Sequence, residues 1–103
     1  MTGGGTAGQE KVAVQGVDVT TGAEAALAQN TGSTVVTITD YLIKDASGNI
    51  VESGTVAVGT LPVGGDLTPI TITLVNADPG LSYTVTLVSS KGGSFVSSSF
   101  IAP

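Results

Sequence analysis

Across residues 81–95, apolar and hydroxylated side chains alternate almost one for one. Tyr83, Val85 and Leu87 fall on one phase and Ser82, Thr84 and Thr86 on the other, the period-2 signature of a strand with one covered face. Lys91-Gly92-Gly93 then offers positive-φ positions for a tight reversal, so Phe95 opens a return strand. The alternation recurs upstream. Residues 11–20 read as a first strand in which Val12 and Val14 share a phase that Val17 and Val19 do not. Gly16 sits at the change, where a bulge is expected that carries the strand from one sheet to the other. Residues 23–29 read as a second strand with Ala23, Ala25 and Leu27 inward. Their alanine content also has helix propensity, but so short a helix is marginal and the neighbours are all strand-like.

Residues 34–44 form the longest predicted strand, with Val36 and Ile38 on one phase and Tyr41 and Ile43 on the other. Either a second bulge near Thr39-Asp40 or two partly covered faces would produce that shift. A turn at 45–49 leads into a strand at 50–58, with Val56 and Val58 inward, and 59–66 reads as a loop. In 67–75, Ile70, Ile72 and Leu74 point inward. Pro69 has no amide hydrogen, which puts the start of that strand at an edge or outside the ladder. The last strand is 94–101. About seven strands separated by turns predict an all-β fold, an immunoglobulin-like antiparallel β-sandwich over residues 10–103, behind a flexible leader or stalk at 1–9. Its expected core is Leu27, Val36, Ile38, Ile70, Ile72, Leu74, Tyr83, Val85 and Leu87. Tyr83, just beyond Asp78-Pro79-Gly80, is placed for a tyrosine corner or for a core aromatic with a wet tip.

Composition changes this picture in one respect. Of the 103 residues 41% are hydrophobic and only 11% charged, against roughly 25% charged in an ordinary domain. Serine and threonine take the exposed positions. No apolar run approaches the roughly 18 residues of a membrane span, and the leader lacks the apolar core of a signal peptide. The net charge is −5, with Lys11, Lys44 and Lys91 as the cations, so nucleic acid and anionic bilayers are disfavoured as partners. So few cations leave few carboxylates to be paired, and stability is expected to vary little with pH, as suits an extracellular surface.

Candidate chemistry is sparse. The chain has no Cys and no His, so thiolate chemistry and the usual general base and metal ligand are missing. Asp45, Ser47 and Asn49 match the first half of a calcium loop, but Ile50 and Val56 stand where that loop needs Gly and Glu, and a turn accounts for the stretch. Asp40, Asp66 and Asp78 could meet at one end of the sandwich, though their expected places do not require it. Gly64-Gly65 and Gly92-Gly93 lack the helix that a phosphate cradle needs. No Asn lies in a glycosylation triplet. No catalytic residue, cofactor or metal is expected. The expected site is a protein contact at Phe95, Val96, Phe100 and Ile101. This strand carries no charge, and alternation sends Val96 and Phe100 opposite to Phe95 and Ile101, so one pair should be exposed or covered by another chain.

Four segments together resemble the outer domains of archaeal cell-surface filament proteins. They are Asn30-Thr31-Gly32-Ser33 with Val36-Thr37-Ile38; Asp45 with Gly48-Asn49 and Val51; Leu61-Pro62 with Gly64; and Tyr83-Thr84-Val85-Thr86-Leu87-Val88 followed by Lys91-Gly92 and Phe95. The family includes type IV pilins and the pilin-like accessory subunits of the archaellum, with an immunoglobulin-like sandwich behind an amino-terminal hydrophobic helix. The resemblance implies a structural, non-enzymatic role on the extracellular or pseudoperiplasmic side of the membrane. The favoured reading is an archaellum stator subunit that self-associates and helps tether the motor to the surface layer. Its implied partners are a related stator subunit and a surface-layer protein, with the membrane reached only through a hydrophobic helix. A pilin of an adhesive filament is the alternative within the family, and an adhesion or spacer module of a larger surface protein is the alternative outside it. Two departures stand out: the hydrophobic helix is absent from this sequence, and Gly93 occupies a place where Asn is often found.

Overall fold

A computed structural model describes residues 10–19, 24–57 and 59–103; the leader at 1–9, Ala23 and Val58 lie outside the described residues. Among these, nine strands and no helix are formed: β1 (Val12–Asp18), β2 (Ala25–Asn30), β3 (Val36–Asp45), β4 (Ile50–Thr55), β5 (Thr60–Leu61), β6 (Thr68–Thr71), β7 (Ser82–Ser89), β8 (Ser94–Val96) and β9 (Phe100–Ile101). No helix among the described residues is long and apolar enough to cross a membrane.

The strands make two antiparallel sheets, one in the order β1-β2-β6 and one in the order β4-β3-β7-β8, with β5 also on β3 and β9 also on β7. The fold is therefore an all-β sandwich, as the alternation predicts. The expected count of about seven rises to nine for two reasons. The predicted last strand is split, and the predicted loop at 59–66 contributes β5, whose Leu61 lies opposite Val36 and is fully buried.

Bulges decide which residues reach the core. In β3 the register slips between Ile38 and Asp40, so Val36, Ile38, Tyr41 and Ile43 all become buried on the same side. In β1 the register slips between Val14 and Gly16, and Val12, Val14 and Val17 all pack against the core. That bulge does not carry β1 across to the other sheet, because pairing with β2 continues to Asp18 opposite Ala25.

One sequence expectation about the core is corrected, and Leu74 packs against the core only in part. Ala26 and Ala28, not Leu27, are the fully buried side chains of β2. Leu27 lies opposite Gly16 on one side and Pro69 on the other, half-buried on the outer face of its sheet. Leu74 is half-buried because the chain leaves β6 at Thr71, and the amide of Thr73 donates to Tyr41 Oη at 3.2 Å. Pro69 does lie in an edge strand, since β6 ends the first sheet. The tyrosine corner forms: the Asp78 amide donates to Tyr83 Oη at 2.7 Å.

Candidate functional site

The predicted contact residues lie on the β8–β9 edge, and a local register change redistributes them. Val96 lies opposite Thr86, and Phe100 lies opposite Tyr83. Between those two pairs β7 advances three residues while the β8–β9 segment advances four, so one extra residue is inserted around Ser97–Ser99. Ser97 holds the insertion in place. Its amide donates to Val85 O at 2.8 Å, its buried hydroxyl accepts the Val85 amide at 2.9 Å, and the same hydroxyl donates to Ser98 O at 2.8 Å.

The inserted residue changes parity, so strict alternation fails here. Phe95 and Phe100 both turn inward and pack against the core, with the Phe100 and Tyr83 rings 6.3 Å apart. Val96 and Ile101 both turn outward, with 62% and 55% of their surfaces exposed. The expected pairs, Val96 with Phe100 and Phe95 with Ile101, are thereby corrected: one member of each is exposed.

Val96 and Ile101 belong to the outer face of the second sheet. Residues directly opposite one another in antiparallel strands share a face, so the register gives its rows. One row runs Ser53, Leu42, Thr86, Val96; a second runs Thr55, Asp40, Val88, Ser94; a third runs Ile50, Lys44, Thr84; and Ile101 lies beside Ser82. Asp40 and Lys44 are the charged residues of these rows. Thr86, in the middle, is buried, and its hydroxyl has no hydrogen-bond partner among the described residues. Sequence reasoning did not place Leu42, Asp40 and Lys44 together on this face. The signal was present: once Tyr41 and Ile43 are inward, alternation puts those three outward.

At the tip of the β7–β8 hairpin the amide of Gly92, at φ 90°, donates to Ser89 O at 3.0 Å. Gly93 does not share that positive φ, so one glycine rather than two supplies the reversal. What Gly93 supplies is space. A Cβ there would lie 2.8 Å from Oε1 of the buried Glu10, which accepts the Ser89 hydroxyl at 2.8 Å. That gives the Gly at this position a physical reason. Oε2 of Glu10 is buried without a hydrogen-bond partner among the described residues.

The other candidates resolve into local structure. Asp45 Oδ1 accepts the amides of Ser47 and Asn49, each at 2.9 Å, which is a turn held by its own side chain. Asp40 lies in β3 while Asp66 and Asp78 lie in exposed loops, and no group of three or more acidic residues able to hold a metal forms among the described residues. A pocket of about 280 Å³ between the sheet edges is lined by Tyr41, Thr55, Val56, Thr71 and Thr73, which brings together hydroxyls and apolar groups. No protein-family model and no curated protein matches the chain.

Proposed function

We propose that this chain is a structural, non-enzymatic assembly domain of the archaeal cell surface, acting through protein–protein contact as the soluble part of an archaellum stator subunit. The observation that carries the contact role is the outer face of the second sheet. It exposes Val96, Ile101 and Ile50, and its rows carry one acidic and one basic residue on a chain of net charge −5. Most surfaces of such a domain would repel a second copy; this one has no net charge to overcome and apolar area to bury. The resemblance of the four sequence segments to archaeal filament proteins supplies the biological setting.

The test is made in cells that produce the protein. The reading expects a tagged chain that is reached by protease added outside and crosslinked into assemblies at the cell envelope, and expects deletion to abolish swimming while the filament remains. A chain protected inside the cell, or a deletion strain that swims normally, overturns it. Loss of surface attachment with swimming intact would replace the stator by an adhesive pilin.

A further inference from the structure

We infer that two copies of this chain stack through the outer faces of their second sheets, related by a two-fold axis that crosses β3 at Leu42. This deepens the assembly role proposed above and rests on it. Asp40, Leu42 and Lys44 alternate outward along β3. Asp40 and Lys44 are therefore equally far from Leu42, about 7 Å each way, and about 14 Å from one another. A two-fold axis lying between the faces, perpendicular to β3 at Leu42, places each copy's Lys44 over the other copy's Asp40. The contact is self-complementary twice over, which is what an isologous interface requires.

The neighbouring strands fit the same axis. It lays the row Ser53, Leu42, Thr86, Val96 on its own counterpart, so Leu42 meets Leu42 and the exposed Val96 meets Val96. The row of Asp40 meets the row of Lys44, setting Val88 against Thr84 and Thr55 against Ile50. Sheets stacked in this way pack with their strands inclined by roughly 30°. Four strands and five residues along each present roughly 300 Å² of projected face per copy. That falls short of the roughly 1,200 Å² total of a durable dimer, so the contact is reversible in solution and gains strength when many copies are held together.

Sedimentation equilibrium of the isolated chain up to about 1 mM, a range in which a contact this small is populated, decides the matter. The unmodified chain is expected to dimerise. Asp40→Lys and Lys44→Asp each set like charges opposite one another and should raise the dissociation constant at least tenfold. Mixed together, the two variants should form a heterodimer, because one then offers two lysines to the other's two aspartates; a chain carrying both substitutions should dimerise like the original. Recovery in the mixture also shows that neither variant has simply failed to fold. If the chain associates but the single reversals leave its dissociation constant unchanged, the contact lies elsewhere and the assembly role stands. If the mixture does not recombine, the two-fold register is wrong. An unmodified chain that stays monomeric throughout overturns this interface, while the assembly role is judged by the envelope crosslinking and swimming phenotypes.

Discussion

One hydroxyl settles the shape of the last strand. Ser97 Oγ takes the amide of Val85 that a regular ladder would have given to a backbone carbonyl, and it is buried while doing so. A buried donor left without a partner costs about 1–3 kcal/mol. Ser97→Ala should destabilise the chain by about that amount, and hydrogen exchange should show the Val85 amide losing protection selectively. A change below about 0.5 kcal/mol would mean that the strand closes over the missing oxygen. Tyr83 gives a milder case. Its hydroxyl accepts the amide of Asp78, an exposed residue to which water has access, so Tyr83→Phe should cost about 1 kcal/mol in chemical denaturation. A much larger loss would show that the corner contributes more than this single bond.

At the scale of elements, the two sheets fill the core unequally. β2, in the middle of the first sheet, offers only Ala26 and Ala28 as fully buried side chains, while β3 and β7 supply Val36, Ile38, Ile43, Val85 and Leu87. Small side chains on one sheet let the bulky ones of the other approach closely. Leu87→Ala should therefore cost about 2–5 kcal/mol through transfer and cavity effects. Leu27→Ala should cost under about 2 kcal/mol, because Leu27 is half-buried between Gly16 and Pro69 on the outer face. Equal losses at the two positions would contradict this assignment of faces. The strand edges are handled differently as well. Beside β4, Glu52 accepts the amides of Val75 and Asn76, and the Asn76 side-chain amide donates to Val51 O at 3.2 Å, so residues 75–76 cover that edge. On the β8–β9 side the inserted residue interrupts the ladder instead.

For the whole molecule, sparse charge leads to two expectations. Three lysines against eight acidic residues leave little scope for ion pairs whose loss in acid would unfold the chain. The midpoint of chemical denaturation should change little between neutral and mildly acidic pH; a collapse on mild acidification would reveal a strongly coupled carboxylate. Lysine substitutions on the last strands should also separate folding from association. Val96→Lys adds a cation to an exposed outward position, so it should leave the denaturation midpoint almost unchanged and shift sedimentation toward monomer. Phe100→Lys puts the charge beside the Tyr83 ring within the core packing, so it should destabilise the fold itself. If both variants behave alike, the inserted residue does not set the two side chains on different faces.

Much of the fold was legible from period-2 alternation and turn chemistry. They gave the all-β class, the positions of most strands, the phase shifts in β1 and β3 and, as one of two readings of Tyr83, the tyrosine corner, because these depend on residues close together in sequence. Three features depended on partners far along the chain. The phase of β2 could not be read from Ala25-Ala26-Leu27-Ala28: it is fixed by Gly16 and Pro69, opposite Leu27 in strands β1 and β6. β5 exists because Leu61 meets Val36 across a crossover. The face to which Val96, Phe100 and Ile101 belong depends on a single inserted residue around Ser97–Ser99, held by the amide of Val85. Sequence alternation therefore determined that an uncharged last segment would leave apolar side chains exposed. Only the tertiary register decided that Val96 and Ile101 would be the exposed ones, and which residues of β4, β7 and β8 stand beside Asp40, Leu42 and Lys44 on that face.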